Sequence, residues 1–340
     1  MALSILVAGG AGYIGSHMVK MLCEAGHDVV TLDNLSTGHR DAVLGGEFVH
    51  ADLLDKPGLA VAFARHRVDV VMHFASCCYV GESVEHPRLY YRNNVVAAIN
   101  LLDVMLDAGV HKLVFSSSCA TYGLPETERI SESHPQCPVN PYGRTKLVIE
   151  QILADYAHAY GLRSVSLRYF NAAGSDPEAQ LGERHEPETH LIPLALEEAV
   201  RVRHGGDPAA TQLRIYGDDY ATPDGTCIRD YVHVHDLCRA HLIAAERLAS
   251  ERCVGAEAYN LGTGRGFSVR SVIDACAKVS EVPIRYTVAA RRAGDPPALV
   301  ADARKAEKIL GWKPQFVALD PIIATAWRYR MGRYVHSIRS

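Results

Sequence analysis

Short apolar runs alternate with amphipathic stretches along the first half of the chain. Ser4–Ala8 is an apolar run of strand length, and Ile14, Met18, Met21 and Leu22 follow at helical spacing. The spacing predicts a helix over Tyr13–Ala25, stopped by Gly26. Further strands are predicted over Asp28–Leu32 (closed by Asp33), Glu47–His50, Val68–Phe74, Lys112–Ser116 and Ser164–Phe170. Helices are predicted over Tyr90–Ala108 and Pro141–Tyr160. The second has Asn140 as N-cap, proline in its first position and Gly161 at its end. Strands separated by helices need crossover connections, so the sheet is expected to be parallel.

Beyond Asn171 the pattern loosens. Residues 172–230 are rich in Gly, Pro, Asp and Glu, with one helix-like stretch over Leu194–Val202. Long irregular segments of this kind usually carry function. A buried strand is expected over Tyr259–Leu261 and a helix over Ser268–Val279, capped by Ser268; residues 281–340 read as a mixed tail. No internal repeat is visible.

Composition narrows the class. The chain has 340 residues, 48% hydrophobic and 22% charged, which excludes a mainly disordered, collagen-like or coiled-coil protein. A net charge of −4 with no basic stripe argues against a nucleic-acid partner. No apolar run is long enough to span a membrane. The N-terminus reads as a first strand and not as a signal peptide. Nine cysteines, an odd count without any Cys-x-x-Cys pair, suggest a reducing, cytoplasmic setting. The 17 histidines are scattered without His-Glu-x-x-His spacing, so no metal is expected; His233 and His235 are read as structural.

Gly9-Gly10-Ala11-Gly12-Tyr13-Ile14-Gly15 follows a strand and opens a helix. Glycines at this spacing give a tight turn, close backbone approach to a pyrophosphate, and close helix–strand packing. The pyrophosphate then meets the free N–H groups of a helix N-terminus. Asp33 closes the second strand, where an acid accepts bonds from ribose hydroxyls and repels a 2′-phosphate. The expectation is a Rossmann-like, doubly wound parallel sheet that binds NAD and not NADP. Asp52, after the third strand, either meets the adenine edge or caps a helix over 55–66.

Tyr142 and Lys146 lie four apart on a predicted helix and so share a face. An ammonium beside a phenol favours the phenolate and makes it a usable base. The pair follows a strand whose end carries Ser116-Ser117-Ser118. A hydroxyl there can hold the substrate oxygen from which Tyr142 takes a proton.

With these motifs in place the chain resembles the extended short-chain dehydrogenase/reductase family, in its UDP-sugar 4-epimerase branch. The resemblance covers nearly the whole length. It is carried by Gly9–Gly15, Asp33-Asn34-Leu35, His73-Phe74-Ala75, Val80-Gly81-Glu82-Ser83, Tyr90–Asn94, Ser116–Gly123, Asn140–Gly143 with Lys146, and Arg168–Asn171. In the second half Asp224-Gly225-Thr226, Arg229-Asp230-Tyr231, Asn260–Gly264, Arg291-Arg292 and Gly294-Asp295 continue it.

The resemblance implies an NAD-binding domain over 1–171 plus about 230–264, and a smaller mixed α/β UDP-sugar domain over about 172–229 plus 265–340. It implies Tyr142, Lys146 and Ser118 as catalytic residues. Gly9, Gly12, Tyr13, Ile14, Gly15, Asp33, Asn34, Asp52, Leu53, Phe74, Ala75, Asn94, Lys146 and Phe170 match cofactor positions. Asn171, Leu191, Tyr216, Arg229, Arg292, Asp295 and Leu299 match substrate positions. On residue type alone, ion pairs with Asp230 and Asp295 are the favoured reading of Arg229 and Arg292, although two arginines also suit a diphosphate. The implied reaction is reversible inversion at C4 of a UDP-hexose through a 4-keto intermediate, by a homodimer. Other UDP-sugars, N-acetylated or pentose, fit the same chemistry.

Departures and rivals sharpen this. Ala8 and Cys78 stand where relatives often carry Thr and Lys. His190 replaces an Asn, and Leu299 a Tyr, at sugar-side positions. A 4,6-dehydratase needs an Asp-Glu pair after the Ser/Thr; here Cys119 and Ala120 follow Ser118. A non-catalytic NAD-sensing protein would not need to keep Tyr142, Lys146 and Ser118 together.

Overall fold

A continuous apolar strand needs cover on both faces, and the first strand, β1 (Ser4–Ala8), has it. Ile5 and Val7 pack with Met18 and Leu22 on one face, while Leu6 and Ala8 pack with Leu101 and Phe115 on the other. In the computed structural model, which describes residues 2–292 and 295–339, seven parallel strands form the central sheet. These are β1, β2 (Asp28–Asp33), β3 (Glu47–His50), β4 (Val70–His73), β5 (Lys112–Ser118), β6 (Arg163–Tyr169) and a seventh strand over Ala256–Leu261. Their order is seventh, β6, β5, β4, β1, β2, β3. Ile5 faces Val29 of β2 on one side and Val70 of β4 on the other. The strand order reverses at β1, so the loops after β1 and β4 diverge and open a crevice at their carboxyl ends.

The predicted strands of the first half and the helices at Tyr13–Glu24 and Pro141–Tyr160 are present within a residue or two, and the strand expected over Tyr259–Leu261 begins three residues earlier, at Ala256. Four differences are informative. β5 runs on to Ser118, because pairing with β6 (Ser116 to Leu167, Ser118 to Tyr169) overrides the weak strand preference of serine. The helix expected over Tyr90–Ala108 is interrupted by a π-helical turn at Tyr91–Val96, the kind of wide turn that recurs at functional sites. A helix over Val234–Ala249 covers the sheet; its buried face includes Ala240, Ala244 and Ala245, which give little hydrophobic signal. Residues read as a mixed tail contain a long helix, Leu319–Arg339.

That helix packs with Leu191–Arg203 and Val269–Ser280 around Ile192, Leu196, Ile273 and Ile323, forming a second core. Two small sheets accompany it: Phe267–Ser268, Ile228–Arg229 and Ala298–Leu299 form one, Arg214–Tyr216 and Thr287–Ala289 the other. The 304–312 stretch, expected with the second unit, packs on the first core instead. Trp312 is buried there and donates to the Asp236 carbonyl at 2.8 Å. Among the described residues, no helix is long and apolar enough to cross a membrane. His233 and His235 do not share a strand face. His233 ends a strand and caps the following helix by accepting from the His235 N–H at 3.0 Å.

Candidate active site

The loop after β1 is a tight cradle. Gly9 has φ +82°, and a Cβ there would lie 2.4 Å from the Ala75 nitrogen. A Cβ on Gly15 would lie 2.1 Å from the Gly9 carbonyl oxygen. Neither backbone contact can yield, so the turn, the Phe74–Ala75 segment and the Tyr13–Glu24 helix are held together only by glycine. Gly12 differs: a Cβ there would meet nothing nearer than 3.4 Å. It is the N-cap of the helix and offers no side-chain cap, so the first N–H groups point into the crevice. That is the geometry an anionic pyrophosphate fits.

Asp33 is buried at the end of β2 and accepts from the N–H groups of Ala11 (2.9 Å) and Leu35 (2.8 Å). Its carboxylate thus fixes the glycine loop and keeps negative charge at the crevice edge. Asn34 donates to Asp52 at 3.0 Å. The helix-cap reading of Asp52 is corrected: the cap of Lys56–Arg65 is Asp55, while Asp52 accepts from Leu54 N–H at 2.7 Å. Leu53 is buried; Phe74 packs on His241 with ring centres 4.7 Å apart. Tyr13 donates to the Gly174 carbonyl at 2.6 Å, and the Ile14 carbonyl accepts from Cys238.

Asn94, matched to a cofactor position, is fully buried, and its amide bonds Cys77 N–H (2.8 Å), Cys77 O (3.1 Å) and Thr145 Oγ1 (3.0 Å). These bonds tie the loop after β4 to the Pro141–Tyr160 helix.

Asn140 caps that helix by accepting from Gly143 N–H at 2.8 Å. Gly143 lets it approach β5: a Cβ would sit 2.3 Å from the Ala120 carbonyl oxygen. Tyr142, Lys146 and Ser118 come together as a result, and all three are buried. Lys146 donates to Ser76 Oγ and to the Ser116 carbonyl, both at 2.8 Å. An ammonium has three donors, so one N–H remains for a further acceptor. Burial lowers its pKa to about 8. Burial also raises the Tyr142 phenol well above its usual value, with Tyr169 and Cys78 adding to the effect and a bond from Ser118 opposing it. The Lys146 ammonium expected beside the phenol is there, 5.8 Å from the ring centre, while burial acts on the phenol in the opposite direction.

Beneath the site runs a buried polar network that sequence reasoning missed. Ser117 donates to Glu150 at 2.5 Å; Arg168 pairs with Glu150 and reaches the Tyr122 hydroxyl at 2.9 Å; Tyr122 donates to Asn260 at 2.6 Å. It fastens β5, β6, the seventh strand and the Tyr142 helix to one another. Tyr169, also unpredicted, shares a 2.7 Å bond with Ser116.

Across the crevice, Arg229 and Asp295 form an ion pair, and Arg292 lies 4.0 Å over the ring of Tyr216. Of the ion pairing expected for these arginines, the Arg229–Asp295 pair is present, whereas Asp230 pairs with neither and Arg292 stacks on Tyr216. Asp230 is buried and accepts from Thr263, Gly264 and Ala301 instead. Leu299 is in register with Arg229 and packs on the cluster of Phe170 and Cys119. Asn171 pairs with Tyr231 in a short strand, and Leu191 opens the Leu191–Arg203 helix. Gly294 lies outside the described residues.

A parallel sheet with a glycine cradle at its switch point and a buried Ser–Tyr–Lys set beside it defines a dinucleotide-binding protein of the short-chain dehydrogenase/reductase class. A family model described as the NAD dependent epimerase/dehydratase family matches residues 5–262. A UDP-glucose 4-epimerase from Halalkalibacterium halodurans is 48% identical over 327 residues, 96% of this chain and 95% of the relative. A crystal structure of UDP-glucose 4-epimerase from Brucella ovis in complex with NAD is 50% identical, with a TM-score of 0.90, covering 96% of this chain and 98% of that one. One from Bifidobacterium longum in complex with NAD+ and UDP is 37% identical, with a TM-score of 0.90, covering 97% and 99%. The chain belongs to the NAD dependent epimerase/dehydratase family.

Proposed function

We propose that this protein catalyses the reversible inversion of C4 in a UDP-hexose, interconverting UDP-glucose and UDP-galactose. The observation that carries the reading is the joint burial of Tyr142, Ser118 and Lys146 beside the glycine cradle. The cradle, Asp33 and Lys146 would hold NAD, which when bound would supply a reversible hydride acceptor and a positively charged ring near Tyr142. Tyr142 takes the proton of the C4 hydroxyl and later gives it back. Ser118 holds the C4 oxygen within reach of the phenol. Lys146 is assigned to the nicotinamide ribose.

Inversion requires the 4-keto sugar to present its other face before reduction, while the nucleotide stays held. Arg229, Arg292, Tyr216, Asp295, Asn171 and Leu191 are assigned to that anchoring. The Arg229–Asp295 pair and the Arg292–Tyr216 stack support it, since both hold a guanidinium in a fixed orientation. Purified protein given UDP-galactose and no added cofactor should form UDP-glucose. Absence of turnover, with NAD shown to be bound, would overturn the reading.

We further infer a homodimer in the cytoplasm. Val80, Val84, Leu89, Tyr91 and Val96 are exposed within one stretch of chain, an apolar surface that suits a second copy. All nine cysteines are free thiols, as a reducing compartment maintains them. Light scattering on the wild type and Val84→Glu tests the dimer: the wild type should have twice the monomer mass and the variant should dissociate.

A further inference from the structure

We propose that Glu183, His185, Glu188 and His190 form a binding site for one divalent transition-metal ion, zinc by preference. These residues lie in the irregular segment before the Leu191–Arg203 helix. Each brings one donor atom to a common point, all four within 4.8 Å of one another. His185 Nδ1 is 3.2 Å from Glu183 Oε1 and 3.7 Å from Glu188 Oε1. His190 Nδ1 is 2.5 Å and 3.6 Å from the same two oxygens. Four ligands about 2.0–2.1 Å from a tetrahedral zinc lie about 3.3–3.4 Å apart. The four nitrogen–oxygen edges run from 2.5 to 3.7 Å, and the shortest, the His190–Glu183 hydrogen bond, would open by about 0.8 Å to admit an ion. A two-nitrogen, two-oxygen set of this size suits zinc or its first-row neighbours better than calcium or magnesium, which take more oxygens.

Charge points the same way. Among the described residues the ion-pair partners of Glu183 and Glu188 are the two histidines alone; no lysine or arginine reaches either carboxylate. A dication balances two carboxylates and leaves both imidazoles neutral, the form in which they ligate. His185 Nδ1 is shut off from solvent and faces the two carboxylates, Glu183 Oε1 at 3.2 Å and Glu188 Oε1 at 3.7 Å, so it meets them directly or through a shared ion and not through bulk water.

The surroundings hold the donors in place. The His185 ring is fixed edge-on by Tyr79 (5.8 Å), Tyr13 (6.3 Å) and His190 (5.2 Å). Glu188 Oε1 is oriented by the N–H groups of Thr189 (2.8 Å) and His190 (2.9 Å). Such outer contacts tune a metal site. The Glu183 side chain is 7% exposed, whereas that of His190 is 44% exposed, which gives an ion a way in. The spacing Glu-x-His-x-x-Glu-x-His escapes a search for helical metal motifs because a loop, and not one helix face, gathers the ligands. A bound ion would clip this loop against Tyr13 of the cofactor cradle.

The test uses tag-free, full-length protein stripped with a chelator, dialysed against zinc or cobalt, and analysed for metal content and the visible cobalt spectrum. One ion per chain and a tetrahedral cobalt spectrum are expected. His185→Asn and Glu188→Gln should each weaken zinc binding at least ~10-fold in competition with a chromophoric chelator, with the thermal melt of the stripped protein retained. If one variant fails to fold, the other decides. Zinc content no higher in the wild type than in the folded variant, or an octahedral cobalt spectrum that neither change alters, would overturn the site.

Discussion

Lys146 and Tyr142 stand one helical turn apart, with the ammonium 5.8 Å from the centre of the phenol ring. Burial works against the charged form of each: it holds the lysine pKa down to about 8 and drives the phenol up. Neither group is tuned by the other alone. Burial thus costs the lysine its charge more readily than in water and holds the proton on the phenol, the kind of opposed tuning found where protons are moved.

Removing the phenolic oxygen tests this directly. Tyr142→Phe keeps the ring and its packing but cannot move a proton. General acid–base steps are worth roughly 10²–10⁴ in rate. Turnover of UDP-galactose should fall by at least that factor, while UDP affinity measured by calorimetry stays within a few fold. Near-full activity in the variant would assign the base elsewhere.

The lysine makes a stability prediction whose sign depends on pH. Its folded pKa, about 8, lies below its ordinary value of 10.5, so the folded protein binds this proton less well than the unfolded chain. Below pH 8 the group opposes folding. As pH rises from about 8 toward 10.5 the opposition disappears, and the stability of the wild type gains on this account. The shift corresponds to roughly 3 kcal/mol at 1.36 kcal/mol per unit, less the hydrogen bonds to Ser76 and Ser116. Cofactor-free Lys146→Met should therefore melt higher than wild type at pH 7, with the gap narrowing above pH 8, and should be inactive. A gap independent of pH would mean that burial does not tune the lysine.

Much of this arrangement is legible along the chain, because the strands are short apolar runs and each motif sits at a strand end. Gly9–Gly15, Asp33, Ser118 and the Tyr142–Lys146 pair are local patterns, and a parallel sheet gathers strand ends on one edge. Features that depend on partners distant in sequence are not legible. Glu150 belongs to no motif along the chain, and its buried pairing with Arg168 of the neighbouring strand arises only on folding. The bonds of the Asn94 amide to Cys77 and Thr145 join three separate stretches of chain and leave no local pattern. The Val234–Ala249 helix hides behind alanines. Glu183 and His190 form no recognised motif because their meeting is the work of a loop.

Gly143 sets the distance between the acid–base helix and β5. A Cβ 2.3 Å from the Ala120 carbonyl oxygen meets backbone that cannot swing away. Overpacking of this kind costs about 1–3 kcal/mol, and here the relief is a shift of the helix away from Ser118. Misplacing reacting groups by about 1 Å can cost on the order of 100-fold. Gly143→Ala should thus fold and retain NAD, measured after denaturation, yet lose kcat far more than KM. Loss of NAD with kcat per bound cofactor unchanged would place the helix shift elsewhere.

Leu299 offers control over the sugar. It is in register with Arg229, and its side chain packs on Phe170 and Cys119, the residue next to Ser118. A larger ring at this position would extend from the Arg229 strand toward the space beside Ser118. On the proposed assignment of Leu299 to the sugar side, a tyrosine there would crowd a substituent on C2 of the sugar, and an acetamido group is bulkier than a hydroxyl. Leucine is smaller and flexible, so UDP-glucose and UDP-galactose are expected as the main pair, with slower but measurable turnover of UDP-N-acetylglucosamine. A single pocket contact discriminates by about 1–3 kcal/mol, roughly 10–200-fold, which permits such overlap. Leu299→Tyr should suppress the N-acetylated reaction by a factor in that range and leave the plain hexose rate within a few fold. Equal loss of both activities, or an unchanged ratio, would show that another side chain bounds the C2 side of the pocket.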